Sequence, residues 1–211
     1  MSTLEYILNK YKLGMNDIIK IPDAGRESLA VLLHELDYKI GVEIGVERGI
    51  YSEIICRENP QIKMFGIDPW ESLETCINNL PKRRTENHTS QKTCDRYYLE
   101  TKHRLAIYPN FKILKEYSCD AVNKFDDSSL DFVYIDANHT SAQVLDDITN
   151  WSKKVRLGGI VAGHDYFNTN ASSKIQIHIK QVVNDFVTTN HIKPLIIWGA
   201  DKSPSWVWVK S

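Results

Sequence analysis

The chain has 211 residues, of which 42% are hydrophobic and 25% charged, so it can bury one sizeable core but is too short for two full domains. Its formal net charge of -1 excludes a strong overall field that would attract nucleic acid or an anionic membrane. The four cysteines form no CxxC pair, and the N-terminus lacks an apolar signal segment. No apolar run approaches the roughly 20 residues of a membrane span. We therefore expect a cytoplasmic protein without a membrane or nucleic-acid partner.

Short apolar runs alternate with helical patterns along the chain. Two helices are predicted near residues 3–12 and 26–37, and the runs that follow are typical of strands in a parallel sheet, at 39–46, 63–70, 111–117, 130–137 and 158–166. The last two runs, KPLIIWGA and SPSWVWVKS, are joined too closely for a crossover helix and should form an antiparallel hairpin. We therefore predict an α/β fold with a doubly wound, mostly parallel seven-stranded sheet that ends in this hairpin.

The domain organisation follows from the same pattern. We predict residues 1–38 as N-terminal helices packed on a domain of residues 39–211. The polar segment at about 71–91 has turn-forming residues and no clear period, and long irregular insertions of this kind are often lids or binding loops.

The stretch GVEIGVERGIYSE, residues 41–53, places glycines directly after a buried strand. Gly45 and Gly49 allow a tight turn, and the free N–H groups of the next helix face the same space, which favours a small polar ligand. A tight turn without a ligand is the alternative. Glu43 favours the ligand, because a buried acid needs a hydrogen-bonding or cationic partner. Asp68 ends the next strand, where doubly wound folds hold a ribose, although a turn cap before Pro69 is also possible.

Two further acids and two histidines fall at the ends of later strands. Asp136 and Asp165 should project from the carboxyl edge of the sheet, with His139 and His164 close by. Two carboxylates, completed by waters and substrate oxygens, suit Mg²⁺. The alternative is that Asp136 and His139 are a hydrogen-bonded pair capping the helix that begins near Thr140.

Five stretches in this order, GVEIGVERGIYSE, MFGIDPW, ILKEYSCDAV, LDFVYIDANHT and LGGIVAGHDY, resemble the class I S-adenosylmethionine-dependent methyltransferases. The resemblance implies S-adenosylmethionine as cofactor. The first-strand acid and its glycine loop would hold the methionine end, and the acid after the second strand would hold the ribose. Trp70 and Ser118 would border the adenine. The residues implied to line the cofactor are Glu43, Gly45, Val46, Gly49, Ser52, Asp68, Trp70, Ser118 and Asp136.

Within that superfamily, IDANH and GHDY look like the macrocin-type, metal-dependent O-methyltransferases that act on sugars. This resemblance implies that Asp136 and Asp165 are metal ligands and that His139 is the general base. The macrocin type has a second acid immediately before the last aspartate, where this chain has His164. Metal dependence is therefore open, and a metal-free enzyme with His139 or His164 as its base is an alternative.

The expected function is transfer of a methyl group from S-adenosylmethionine to an oxygen of a sugar or other small molecule, assisted by Mg²⁺. One alternative is a metal-free N- or O-methyltransferase. Others are a nicotinamide-dependent oxidoreductase, disfavoured by the G-x-x-x-G spacing and the hairpin, and a cofactor-binding module without catalysis. Homo-oligomer formation is left open.

Overall fold

A computed structural model describes residues 1–72, 90–169 and 177–211 of the chain. The helices within these ranges are α1 (Thr3–Lys10), α2 (Arg26–Glu35), α3 (Ile50–Glu58), α4 (Gln91–Leu105), α5 (Ser118–Ala121), α6 (Ser141–Lys154) and α7 (Ile179–Thr189), with a 3₁₀ turn at Val122–Lys124. The strands are β1 (Ile18–Ile21), β2 (Ile40–Ile44), β3 (Lys63–Ile67), β4 (Phe111–Leu114), β5 (Leu130–Ile135), β6 (Val155–Gly163), β7 (Leu195–Trp198) and β8 (Ser205–Val209).

The strands form one sheet in the order β1-β7-β8-β6-β5-β2-β3-β4. All neighbouring strands run parallel except β8, which is antiparallel to β6 and β7. The predicted α/β class, the mostly parallel sheet and the C-terminal hairpin are thus confirmed. The strand order reverses between β2 and β5, and in open α/β sheets a ligand crevice lies at the carboxyl ends of the strands beside such a reversal.

Both faces of the sheet are covered by helices. On β5, Val133 belongs to the core that includes Trp151 of α6, whereas Phe132 and Tyr134 belong to the core that includes Ile55 of α3. This alternation follows from the two-residue period of a strand, and burial on both faces explains why β5 is apolar almost throughout. None of the helices in the described ranges is long and apolar enough to cross a membrane.

The sheet has one strand more than the seven that the sequence predicts. β1 pairs in parallel with β7, with Ile18 opposite Leu195. Its sequence, IIKI, is only four residues long and alternates exposed and buried positions at the edge of the sheet, so it lacks the longer apolar run of the central strands. The segment predicted as N-terminal helices therefore also contains an edge strand.

The domain boundary at residue 38 and the lid stay predictions. Residues 73–89 lie outside the described residues, so only the ends of the predicted lid at about 71–91 are covered by the structure.

Gly45 gives a direct test of the packing at the sheet reversal. It has φ +86°, and a Cβ there would lie 2.0 Å from the carbonyl oxygen of Asp136. Because backbone cannot move aside cheaply, Gly45→Ala should lower the free energy of unfolding by about 3 kcal/mol or more. Gly14→Ala is the matched control, since nothing lies within 4 Å of its added Cβ, and it should change stability by less than about 0.5 kcal/mol. Equal losses in urea denaturation would contradict this interpretation.

Candidate active site

Every residue predicted for the site lies at the carboxyl edge of the sheet. The residues fall at the ends of β2, β3, β4, β5 and β6 or at the start of the helix that follows. The structure brings them into two neighbouring groups. One surrounds Glu43 and the glycine loop, and the other joins Asp136 and Asp165 to the two histidines. Their functional roles remain predictions.

Glu43 is buried in β2, with 2% of its surface exposed. Its carboxylate accepts a hydrogen bond from the Oγ of Ser52, in the first turn of α3. No cation forms an ion pair with it in the part of the chain that the structure describes. Burial raises the pKa of Glu43 to about 8, although the hydrogen bond from Ser52 opposes the shift. A buried acid with one hydroxyl partner is suited to receive a ligand with a cationic end.

The glycines of the loop are explained by their protein neighbours. Gly45 contacts the backbone of Asp136, as described above. Gly49 has φ +72°, and a Cβ there would lie 3.1 Å from side-chain carbons of Leu105 and Thr101. The tight turn would therefore require both glycines even without a ligand. Val46, between them, is buried beside Trp70.

Asp68 holds two loops together. Its Oδ2 accepts hydrogen bonds from the backbone N–H groups of Val46 at 3.1 Å and Glu47 at 2.9 Å, and its Oδ1 accepts one from Trp70 at 2.7 Å. Burial raises the pKa of Asp68, and these three bonds oppose the shift. The turn role that was the alternative is therefore present. A ribose role stays a prediction, and it is compatible because a carboxylate can accept further hydrogen bonds.

Trp70 and Ser118, predicted to border an adenine, are both engaged with protein groups. Trp70 is buried, and its Nε1 donates a hydrogen bond to the Glu47 carbonyl at 2.7 Å. Ser118 donates its hydroxyl to Asp147 Oδ1 at 2.5 Å. Asp147 was not predicted for the site. It is a buried carboxylate on the apolar face of α6, where burial raises its pKa to about 6, and its place among apolar residues was the one available signal.

Asp136, His139, His164 and Asp165 form a contiguous cluster, which we call the Asp-His cluster. His139 Nε2 lies 2.9 Å from Asp165 Oδ2 and 4.0 Å from Asp136 Oδ1. His164 Nδ1 lies 3.2 Å from Asp165 Oδ1 and 3.5 Å from Asp136 Oδ1. Each imidazole thus lies between the two carboxylates. His139 is the more accessible, with 43% of its side chain exposed against 13% for His164.

The helix-cap alternative for Asp136 and His139 is wrong. Thr140 is the N-cap of α6, and its side chain accepts the N–H of Gln143. The Thr140 N–H is in turn bound by the side chain of Asn138. Because Thr140 caps the helix, neither the Asp136 carboxylate nor the His139 imidazole has that role.

The charges of the Asp-His cluster balance one another. The nearby carboxylates of Asp136 and Asp165 raise the pKa of His139 to about 9. Burial lowers the pKa of His164, but the same carboxylates outweigh it and raise that pKa to about 9. In both aspartates burial raises the pKa, and the imidazoles outweigh it, so each carboxyl pKa lies below its usual range. The carboxylates and the imidazoles thus stabilise one another in their charged forms.

A divalent cation could be held by three of these residues. Single ligand atoms of Asp136, His139 and Asp165 all lie within 4.8 Å of one another. The two carboxylates suit Mg²⁺, whereas an imidazole is a better ligand for Mn²⁺, Fe²⁺ or Zn²⁺. The donor set fits Mg²⁺ best if His139 stays outside its coordination shell.

The structure adds Arg26 to the site. This first residue of α2 places its Nη1 3.7 Å from Asp136 Oδ2. No sequence motif marks it, because it lies upstream of the first central strand and reaches the crevice only through the path of α2.

A family model described as a methyltransferase domain matches residues 42–166. The chain belongs to this methyltransferase family. The matched segment runs from β2 to Tyr166 and includes every residue predicted for the site. The match favours the methyltransferase over the nicotinamide-dependent oxidoreductase considered above, and it confirms the resemblance to class I S-adenosylmethionine-dependent enzymes.

Solved structures of methyltransferases share the fold. The O-methyltransferase TomG from Streptomyces achromogenes is 15% identical, with a TM-score of 0.61 over 88% of this chain and 79% of that one. An O-methyltransferase family protein from Burkholderia thailandensis is 12% identical, with a TM-score of 0.59 over 88% of this chain and 58% of that one. A candidate caffeoyl-CoA O-methyltransferase from Staphylococcus aureus is 13% identical, with a TM-score of 0.60 over 98% of this chain and 90% of that one. A search of curated proteins gives no match.

The residues present fit S-adenosylmethionine, the cofactor that the resemblance implies. Its methionine end has an ammonium group, and Glu43 is a buried carboxylate that has Ser52 but no cation as partner in the described ranges. The fit therefore depends on charge at Glu43 more than on the glycines, which the fold itself requires.

Glu43 predicts how cofactor affinity depends on pH. The acid has a pKa of about 8 in the free protein, and an ammonium partner favours its ionised form, so binding should release a proton below pH 8. The affinity for S-adenosylhomocysteine should therefore rise between about pH 6 and pH 8, by up to about tenfold per pH unit, and then level off. Calorimetry in buffers of different ionisation enthalpy measures both the affinity and the proton release.

Two variants control this measurement. Glu43→Gln should weaken binding by about tenfold or more and remove the pH dependence, because the amide does not titrate. Glu58→Gln changes an acid that is paired with Arg57 at the end of α3, and this variant should show the same pH dependence of affinity as the parent. A parent affinity that is flat over this pH range would show that Glu43 does not receive the ammonium.

Proposed function

We propose that this methyltransferase transfers the methyl group of S-adenosylmethionine to a hydroxyl oxygen of a small molecule, with a sugar as the leading candidate. The supporting observation is the pairing of His139 with Asp165 next to the Glu43 pocket. A hydroxyl is a poor nucleophile at neutral pH and needs a group that takes its proton. The similar structures described as O-methyltransferases are consistent with an oxygen acceptor, and the sugar rests on the resemblance of IDANH and GHDY to the macrocin type.

The cofactor, when bound, supplies a methyl group on a sulfonium ion that a nucleophile can displace. Glu43 and Ser52 would hold its ammonium end, Asp68 its ribose, and Trp70 would border its adenine. The task of these residues is to bind and orient.

His139 is the better placed of the two candidate bases. Its Nε2 is directed to Asp165, which fixes the ring, and in the neutral form of the imidazole Nδ1 would be left to take a proton from the acceptor. It is also the more exposed histidine, so an acceptor can reach it. His164 has an Nε2 that is buried and makes no hydrogen bond within the described ranges, which suits a supporting role.

Asp136 and Asp165 would hold Mg²⁺, and the ion would supply positive charge that stabilises an ionised hydroxyl. The chain offers two carboxylates for this, because His164 replaces the second acid of the macrocin type. The metal-free alternative is supported by the contacts of the cluster, in which an imidazole nitrogen of each histidine already lies close to Asp165.

The proposal is tested by transfer of labelled methyl groups to a panel of sugars, phenols and amines of similar size, with the products identified by mass spectrometry. We expect O-methylated products. Turnover that EDTA removes and Mg²⁺ restores would support the metal-assisted route, and turnover that EDTA leaves intact would support the metal-free one. Methylation of amines alone would contradict the proposal.

The role of His139 is tested with the acceptor found in this panel. His139→Ala should reduce turnover by roughly 10²–10⁴-fold, the usual contribution of a general base, with S-adenosylhomocysteine affinity nearly unchanged. His164→Ala is the control, and it should retain more of the parent's activity. If His139→Ala turns over like the parent while His164→Ala is inactive, His164 is the base.

A further inference from the structure

Arg26 is held in place by the C-terminal hairpin. The N-cap residue of α2 is Gly25, which has no side chain with which to cap the helix. The carboxylate of Asp201, in the loop between β7 and β8, supplies the missing acceptor and binds the Arg26 backbone N–H at 2.7 Å. A Cβ at Gly25 would lie 2.7 Å from the same carboxylate oxygen, so the glycine makes room for this contact. The hairpin thereby fixes the position at which α2 begins.

The guanidinium of Arg26 is oriented but has free hydrogen-bond donors. It lies over the ring of Tyr51, 5.5 Å from the ring centroid, and the Tyr51 hydroxyl donates to the Arg26 carbonyl at 3.1 Å. Its one ion pair within the described ranges is the 3.7 Å contact with Asp136, which is too long for a hydrogen bond. The side chain is 35% exposed. The guanidinium is planar, is stacked on one face, and makes no hydrogen bond in the described ranges. It is therefore suited to bind a carboxylate through two of its N–H groups.

Arg26 and Glu43 are linked by a short series of contacts around the first turn of α3. Glu43 lies opposite Tyr134 in the register of β2 and β5, and the Tyr134 ring packs on Tyr51 with centroids 4.5 Å apart. Arg26 covers the Tyr51 ring, and Ser52, the next residue, binds Glu43. These contacts place the guanidinium of Arg26 near the buried carboxylate of Glu43. This charge pattern is complementary to an α-amino acid, whose ammonium and carboxylate are one carbon apart.

We propose that Arg26 binds the α-carboxylate of the methionine half of S-adenosylmethionine, while Glu43 receives the ammonium. The inference rests on the assignment of the Glu43 pocket to that end of the cofactor. Arg26 is then a specificity-determining residue, because it favours a nucleoside thioether or sulfonium that has a carboxylate over one that lacks it. It lies outside residues 42–166, so the N-terminal segment completes the cofactor site. Asp201 is a positioning residue that acts through Arg26.

The test compares two ligands by calorimetry. S-adenosylhomocysteine has the amino-acid end, and 5′-methylthioadenosine lacks it. Arg26→Gln should weaken S-adenosylhomocysteine binding by about 10–100-fold, the range for losing a charged hydrogen-bond partner, and change 5′-methylthioadenosine binding by less than about threefold. The affinity of Arg26→Lys for S-adenosylhomocysteine should lie between that of the parent and that of Arg26→Gln. Lysine keeps the positive charge but cannot bind a carboxylate through two parallel N–H groups.

The controls separate binding from folding. Arg57→Gln removes an exposed arginine from α3 and should affect neither ligand. Asp201→Ala should weaken the binding of S-adenosylhomocysteine and leave that of 5′-methylthioadenosine unchanged. Combining Asp201→Ala with Arg26→Gln should lower the affinity little further, because both substitutions act on the same contact. Thermal unfolding checks that each variant is folded.

Two results would overturn the proposal. An unchanged S-adenosylhomocysteine affinity in folded Arg26→Gln would show that the carboxylate binds elsewhere, and equal weakening of both ligands would show that Arg26 only maintains the pocket. A parent that binds neither ligand would overturn the cofactor assignment itself, and with it the role of Arg26. The O-methyl transfer proposed above is tested separately, since its failure would leave these affinities unchanged.

Discussion

The backbone contact between Gly45 and Asp136 determines the geometry around the crevice. The two residues leave adjacent strands where the strand order reverses, and no side chain fits between them. The Gly45 N–H binds the carbonyl of Ile67, and the Asp136 N–H binds that of Ile44, so both loops leave the sheet in fixed register. The Glu43 pocket and the Asp-His cluster are therefore adjacent. This close contact would allow the proposed methyl-donor and acceptor sites to lie side by side.

The two groups of charges at this edge are balanced in different ways. Glu43 is buried with one hydroxyl partner, so the free protein favours its protonated form, and a cationic ligand completes the site. In the Asp-His cluster the carboxylates and the imidazoles already stabilise one another in their charged forms. A metal ion would have to compete there with the imidazoles, whereas Glu43 forms no ion pair in the described ranges, and Arg26 acts on it only from a longer distance. Cofactor binding and metal binding thus have different electrostatic costs in one crevice.

The sequence was sufficient for the central fold because each buried strand is an apolar run followed by a turn. It also identified Glu43, Asp136, His139 and Asp165 as neighbours, since acids and histidines at the ends of parallel strands must meet at one edge. It could not identify β1, whose four residues alternate at the sheet edge, or the cap that Thr140 provides in place of Asp136. Arg26 was missed for another reason: its position depends on Asp201, which is distant in sequence, and no local pattern encodes such a contact.

The place of β8 in the sheet has a consequence for how the protein forms during synthesis. β8 lies between β6 and β7, so β7 and β1 can join the sheet only after the residues of β8 have left the ribosome. Until β7 has been synthesised, β1 has no partner strand, and because β1 is short and contains Lys20, it is a poor template for pairing with other chains. Contacts this distant in sequence form slowly. A nascent chain can therefore assemble the Glu43 loop early, whereas α2 and its arginine are fixed only when synthesis has reached the hairpin.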